Sequence, residues 1–267
     1  MVNRTAERLF STSLAVLVAC AALVQPAVTS AQAVAVRHPQ GTLHGFLVLR
    51  TLKGDALADG DVIQVVRGNR VTTQMVFHFK DGSVHDETAV FSQDRSFRLI
   101  SDHLVQKGPA FQHPIDVLIN GSTGQVTVHS TDDKGKEKVE TEHLALPPDV
   151  SNGVLLTLLM NLPSGSLPRK FSMVAATPKP RLVKLAIASP GEDAFSVGGS
   201  SRNATHYVIK VEIGGAAGVV APMVGKQPTE THVWILSGDA PAFVKLEGAL
   251  AYEGPIWRIE LTSPVWP

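Results

Sequence analysis

The chain has 267 residues, 44% of them apolar and 18% charged, the composition of a globular protein and not of a disordered one. Its 24 basic and 24 acidic residues balance and form no basic stripe, which leaves no electrostatic case for a nucleic-acid partner. The single cysteine, Cys20, falls in the first segment, so stability is expected from a packed core and not from disulfides.

In chain order, Arg4 and Arg8 form a positive start, followed by an apolar run from Leu14 to Val24 and a tail of small residues. That is the anatomy of a secretory leader, with an apolar run shorter than the roughly 18 residues a spanning helix needs. Ala31-Gln32-Ala33 is the favoured cleavage site. "LVAC", residues 17–20, matches a lipobox and offers an alternative, a lipoprotein anchored at Cys20. Against it, the apolar run continues past Cys20 into "AALV". The expected organisation is a cleaved signal peptide (1–33), a flexible N-terminal segment (34–41) and a single domain (42–267), periplasmic or secreted. Membrane contact remains open, but no span is expected in the mature chain.

Period-two alternation dominates the rest. "TQMVFHF" puts Met75, Phe77 and Phe79 on one face, "QVTVHS" puts Val126 and Val128 together, and "YVIKVEI" aligns Tyr207, Ile209, Val211 and Ile213. "IWRIELT" sets Trp257, Ile259 and Leu261 against Arg258 and Glu260. These read as half-buried antiparallel strands separated by turns at "KDGS", "NGSTG", "DDKGK", "SPGED" and "SGDAP". "LPPDVSNGVLLTLLMNLPSG" breaks the pattern. It offers Asp149 or Ser151 as an N-cap, apolar residues from Val154 to Met160, and Pro163 as a stop. A helix of about ten residues, apolar nearly all round, must be buried on most sides. The expected fold is therefore mainly β (α+β), a strongly curved antiparallel sheet, or half-barrel, cupping one central apolar helix. "TPKPR" at 177–181 reads as a stiff connection within one domain.

Signatures of catalysis are scarce. The chain has no H-E-x-x-H, C-x-x-C or G-x-S-x-G, and "GVVAPMVGK" fails as a P-loop because its glycine spacing is too long and Gln227 stands where Ser or Thr is needed. "DALADGD" gathers Asp55, Asp59 and Asp61 in what reads as a solvated turn and not a calcium loop. "HFKDGSVHDE" gathers His78, His85, Asp86 and Glu87 around one hairpin turn, and the two histidines could approach one another, but the solvent face of a hairpin accounts for these residues more simply. No catalytic residue, metal ligand or cofactor is assigned, and the chain is read as a non-enzyme.

The order and spacing of "DGS" at 81–83, the "LPPDV" lead-in to the apolar helix, and the strands "HVWIL", "AFVKLEG" and "GPIWRIEL" cover most of residues 42–262. In these the chain resembles the DUF3108 group of secreted bacterial proteins, whose members look akin to the LolA and LolB lipoprotein carriers. The resemblance implies an incomplete β-barrel with a helix on its concave side, which in the carriers holds acyl chains. It supplies no catalytic residues.

Two readings of function follow. In the first, a non-catalytic module of the bacterial envelope holds a lipid or other apolar small molecule between sheet and helix, touching Leu155, Leu158, Leu159, Met223 and Trp234. The glycine-rich stretch "IGGAAGVVAPMVGKQP", residues 213–228, would be its apolar lid, with Lys226 beside it for an anionic headgroup. In the second, the concavity is filled by the protein's own side chains. The chain is then a structural or assembly protein that binds an envelope protein through the same loop.

Overall fold

The computed structural model describes residues 33–132, 135–163, 165–197, 200–212 and 228–262. Eight strands lead the chain: β1 (Leu43–Thr51), β2 (Ala56–Arg67), β3 (Arg70–Phe79), β4 (Val84–Gln93), β5 (Phe97–Lys107), β6 (Ile115–Asn120), β7 (Gln125–Thr131) and β8 (Glu137–His143). The helix α1 (Leu155–Met160) follows, and then β9 (Arg169–Ala175), β10 (Arg181–Val197), β11 (Ser200–Glu212), β12 (Thr231–Leu236), β13 (Ala242–Ala249) and β14 (Ile256–Leu261).

All the strands belong to one antiparallel sheet, ordered β8-β7-β6-β5-β4-β3-β2-β1-β14-β13-β12-β11-β10-β9. Each strand pairs with its neighbours in sequence, with two departures. The first and last strands pair together, Leu47 opposite Leu261 and Thr51 opposite Trp257. The sheet does not close, so β8 and β9 are its edges.

The expected α+β half-barrel cupping one central apolar helix is overturned. The protein is nearly all β, and among the described residues its one helix spans six residues. Two physical reasons account for this. Leu155, Leu156 and Met160 keep part of their surface exposed, so the run is not buried all round. Two of the three core clusters also contain no residue of the helix. One unites Leu47, Leu49, Phe77, Phe79, Phe111 and Trp257, and the other unites Leu104, Ile115, Val117, Ile119, Val126, Val128 and Val174. Only the remaining cluster includes helix residues, Leu158 and Leu159, packed among Val71, Phe91, Phe97, Phe171, Ile187, Tyr207 and Val233.

The nominated caps take other partners. The residue before α1 is Val154, which makes no side-chain cap, while Asp149 and Ser151 bond to β9. "DALADGD" is no turn: Asp59 and Asp61 lie on β2, and Asp61 bonds His44 at 2.7 Å. "SPGED" is a register shift inside the 17-residue β10 and not a turn between strands. "KDGS" and "SGDAP" fall between strands, "NGSTG" runs from the last residue of β6 to β7, and "DDKGK" lies partly outside the described residues.

Residues 34–41 are held against the sheet. Val34 is buried in the core, and Val36 N–H donates to the Arg95 carbonyl. The fully buried Asn161 accepts at Oδ1 from the N–H groups of Arg37 (2.9 Å) and His38 (2.7 Å), and donates through Nδ2 to the Thr157 carbonyl. No helix among the described residues is long and apolar enough to cross a membrane.

Candidate functional site

A buried polar cluster lies where residues 149–153 run between the β9 edge and the β4–β5 pair. On the β9 side, Ser172 accepts at its carbonyl from Ser151 N–H and Ser151 Oγ, both at 2.9 Å. One position on, the Asn152 side chain substitutes for a strand. Its Nδ2 donates to the Val174 carbonyl (2.9 Å) and its Oδ1 accepts from Val174 N–H (2.8 Å). This side chain satisfies backbone groups that an edge strand leaves open.

Beneath it, Ser172 Oγ donates to Asp149 Oδ1 at 2.7 Å and accepts from Lys184 Nζ at 2.7 Å; Lys184 Nζ lies 3.9 Å from Asp149 Oδ2. A Ser–Lys pair works as a nucleophile when the amine takes the hydroxyl proton. Here the proton points to a carboxylate, and Ser172 is sealed from solvent. The geometry tethers the loop and does not activate the hydroxyl.

On the other side lie two carboxyl groups, Glu87 on β4 and Asp102 on β5. Pairing sets Ala89 opposite Asp102 and Glu87 opposite Leu104, which puts both acids on the core face as diagonal neighbours. Gly153 N–H donates to Glu87. Burial pushes the Glu87 carboxyl up to about 7, against that hydrogen bond. Burial, and then the charge of Glu87, raises Asp102 well above the usual carboxylate range. Asp102 Oδ1 is buried with no hydrogen-bond partner. Gly153 has φ +60°, and a Cβ there would stand 2.4 Å from Ala89 Cβ and 2.6 Å from Asp102 Oδ1. Only glycine fits this position.

Two residues before Glu87, His85 points into the aromatic cluster between Phe77 and Phe111. Gln106 Nε2 donates to its Nδ1 (3.1 Å) and to the Leu250 carbonyl (2.6 Å), which assigns the ring proton to Nε2, an atom without a partner. Burial lowers the His85 pKa to about 4 and keeps it neutral at pH 7. His78 pairs with Val84, and His85 with Phe77, so the two histidines project from opposite faces and do not converge. No group of three or more metal-ligating side chains forms among the described residues.

The residues nominated as ligand contacts do not share one site. Leu158 and Leu159 are buried in the core, and Leu155 packs against it half-buried. Trp234 stands on the opposite face of β12 from the core residues Val233 and Ile235. Its indole N–H donates to Asp193 (2.7 Å), His206 stacks on it at 4.3 Å, and Lys245 Nζ lies 4.0 Å from its ring centre. Met223, Lys226 and the loop from 213 to 227 lie outside the described residues.

Sequence reasoning had put Glu87 on a solvent face and missed Asp102. The signal was the hairpin register. The loop is Lys80–Gly82, with Phe79 N–H donating to the Ser83 carbonyl, so Phe77 falls opposite His85, and Glu87 and Ala89 follow on the same inward face.

No known protein family matches the chain, and no curated protein does. Among solved structures, the chain is similar to a beta-barrel-like protein of domain of unknown function DUF1849 from Brucella abortus. That likeness covers 86% of this chain and 100% of the other at 10% identity and a TM-score of 0.46, a level that carries no argument about function.

Proposed function

We propose that the chain is an exported, non-catalytic structural protein of the bacterial envelope that works by binding a protein partner. The observation behind this reading is the filled interior. Phe77, Phe91, Phe97, Phe171, Leu49 and Ile119, spread over the three core clusters, are all fully buried. Leu158 and Leu159, which an apolar ligand would need, are 3% and 1% exposed because the core already covers them. An acyl chain would have to displace packed side chains, and forcing extra apolar volume into a filled core costs about 1–3 kcal/mol at each place it does not fit. A surface groove lined by Arg98, Leu99, Gly121, Leu146 and Pro148 offers about 290 Å³. It sits at the lower bound for a small-molecule site and includes none of the nominated leucines.

Export rests on the leader, with Ala31-Gln32-Ala33 directly before Val34, the first buried residue among those described. Membership of the DUF3108 group and contact through residues 213–228 belong to the same proposal. The test is mass spectrometry of the protein purified natively from its host. The expected result is a chain beginning at Val34, no stoichiometric acyl lipid in the organic extract, and in-cell cross-links to one reproducible protein. A stoichiometric lipid would restore the carrier reading, and a diacylated chain beginning at Cys20 would replace the free protein with an anchored one.

A further inference from the structure

The two edges of the sheet are finished differently. The β9 edge is covered by Asp149–Asn152, whereas β8 pairs only with β7 among the described residues. Six of the seven β8 residues are exposed, including Val139 at 59%. Natural edges commonly carry charge to repel further strands. The charges here are ordered in the opposite sense. From Lys136 to Glu142 the sequence reads Lys, Glu, Lys, Val, Glu, Thr, Glu. Lys138, Glu140 and Glu142 project to one face, opposite Ser130, Val128 and Val126 of β7, and Val139 projects to the other.

An antiparallel copy placed with its two-fold axis at Val139 sets Lys138 opposite Glu140 and Lys136 opposite Glu142, in both directions. Val139 then meets its own copy on the other face. A register centred on Glu140 or on Lys138 sets like charge on like charge at the axis, which disfavours it. Lys138 is available for the exchange. Its one ion pair among the described residues, to Asp132, is loose at 3.9 Å, and its side chain is 62% exposed.

We propose that β8 is a self-recognition edge: two copies of this chain pair antiparallel through residues 136–142, continuing the sheet across a two-fold axis. The interface is isologous, as closed dimers require, and is specified by the Lys–Glu order on one face and by Val139 on the other. It does not depend on the partner-binding reading above.

Sedimentation equilibrium of the purified protein tests it. The expected result is a monomer–dimer equilibrium that weakens as salt rises from low to about 0.5 M, because the exposed pairs are screened. Lys138→Glu turns two attractive pairs repulsive and weakens the dimer about tenfold or more, and Glu140→Lys does the same. The double variant K138E/E140K restores opposite charges across the axis and recovers dimerisation, and an equimolar mixture of the two single variants forms heterodimers. Val139→Pro, an exposed change whose fold is checked by circular dichroism, removes a strand N–H and lowers the association. A wild-type protein that stays monomeric at millimolar concentration overturns the proposal. So does a dimer indifferent to Lys138→Glu, or a double variant that fails to recover.

Discussion

Gly153 lies directly over Asp102, so close that a Cβ on the glycine would stand 2.6 Å from the Asp102 carboxyl oxygen. The loop before α1 can seat itself only because that position has no side chain and accepts φ +60°. Gly153→Ala is expected to destabilise the protein by roughly 2 kcal/mol or more, from the left-handed backbone and the overpacking together. Urea unfolding measures it. An alanine variant as stable as the parent would show that the loop is not pinned there.

The acid pair beneath that glycine gives stability a pH dependence. With Glu87 pushed up to about 7 and Asp102 also raised by burial, the folded protein holds more protons than the unfolded chain above the unfolded carboxyl value of about 4.3. The contribution is fully present below that value and is lost as pH rises through about 7. Glu87→Gln removes one titrating group and is expected to raise stability at pH 8 by about 1–3 kcal/mol while flattening the profile. Chemical denaturation at a series of pH values reads both effects. A profile unchanged by the substitution would refute this assignment.

His85 acts with the opposite sign. Its folded pKa is lowered to about 4 by burial, so between there and about 6.5 the unfolded chain binds the extra proton. The contribution is present at neutral pH and is lost as pH falls through that window. His85→Gln keeps an acceptor for Gln106 and is expected to abolish the acid-side slope. The ring's titration followed by NMR checks the value directly.

Asn161 joins Arg37 and His38 to the end of α1. Asn161→Ala leaves the N–H groups of Arg37 and His38 without their acceptor and is expected to cost about 1–3 kcal/mol. The accompanying sign is faster amide hydrogen exchange at residues 36–40, with the far strands β6 and β7 unaffected until global unfolding.

The strands were legible wherever one face was uniformly apolar. Tyr207 with Ile209, Trp257 with Ile259, and Val126 with Val128 all turned inward as the alternation implied. β4 was harder to read because neither of its faces is uniform. One carries Val84 and Val90 with Asp86 and Thr88, and the other carries Ala89 and Phe91 with His85 and Glu87. Only the hairpin register decides between them, and that depends on the pairing with β3. The helix misled for a related reason. A run of apolar residues does not say how long the helix is, and Gly153 with Pro163 confined it to six residues. β8 escaped notice altogether. Its alternation carries charge on the inward face, because the strand overhangs the core and does not cover it.

The pairing of β1 with β14 makes this sheet a circular permutation of a simple meander. Leu261 and Leu43 end two adjacent strands on the same side, while the interruption falls in mid-sequence, between β8 and β9. A chain rewired to begin at β9, run through β14, turn into β1 and finish at β8 would contain only nearest-neighbour hairpins. In the natural order, the strand made first must wait for the strand made last. The permuted protein should therefore fold faster at similar stability.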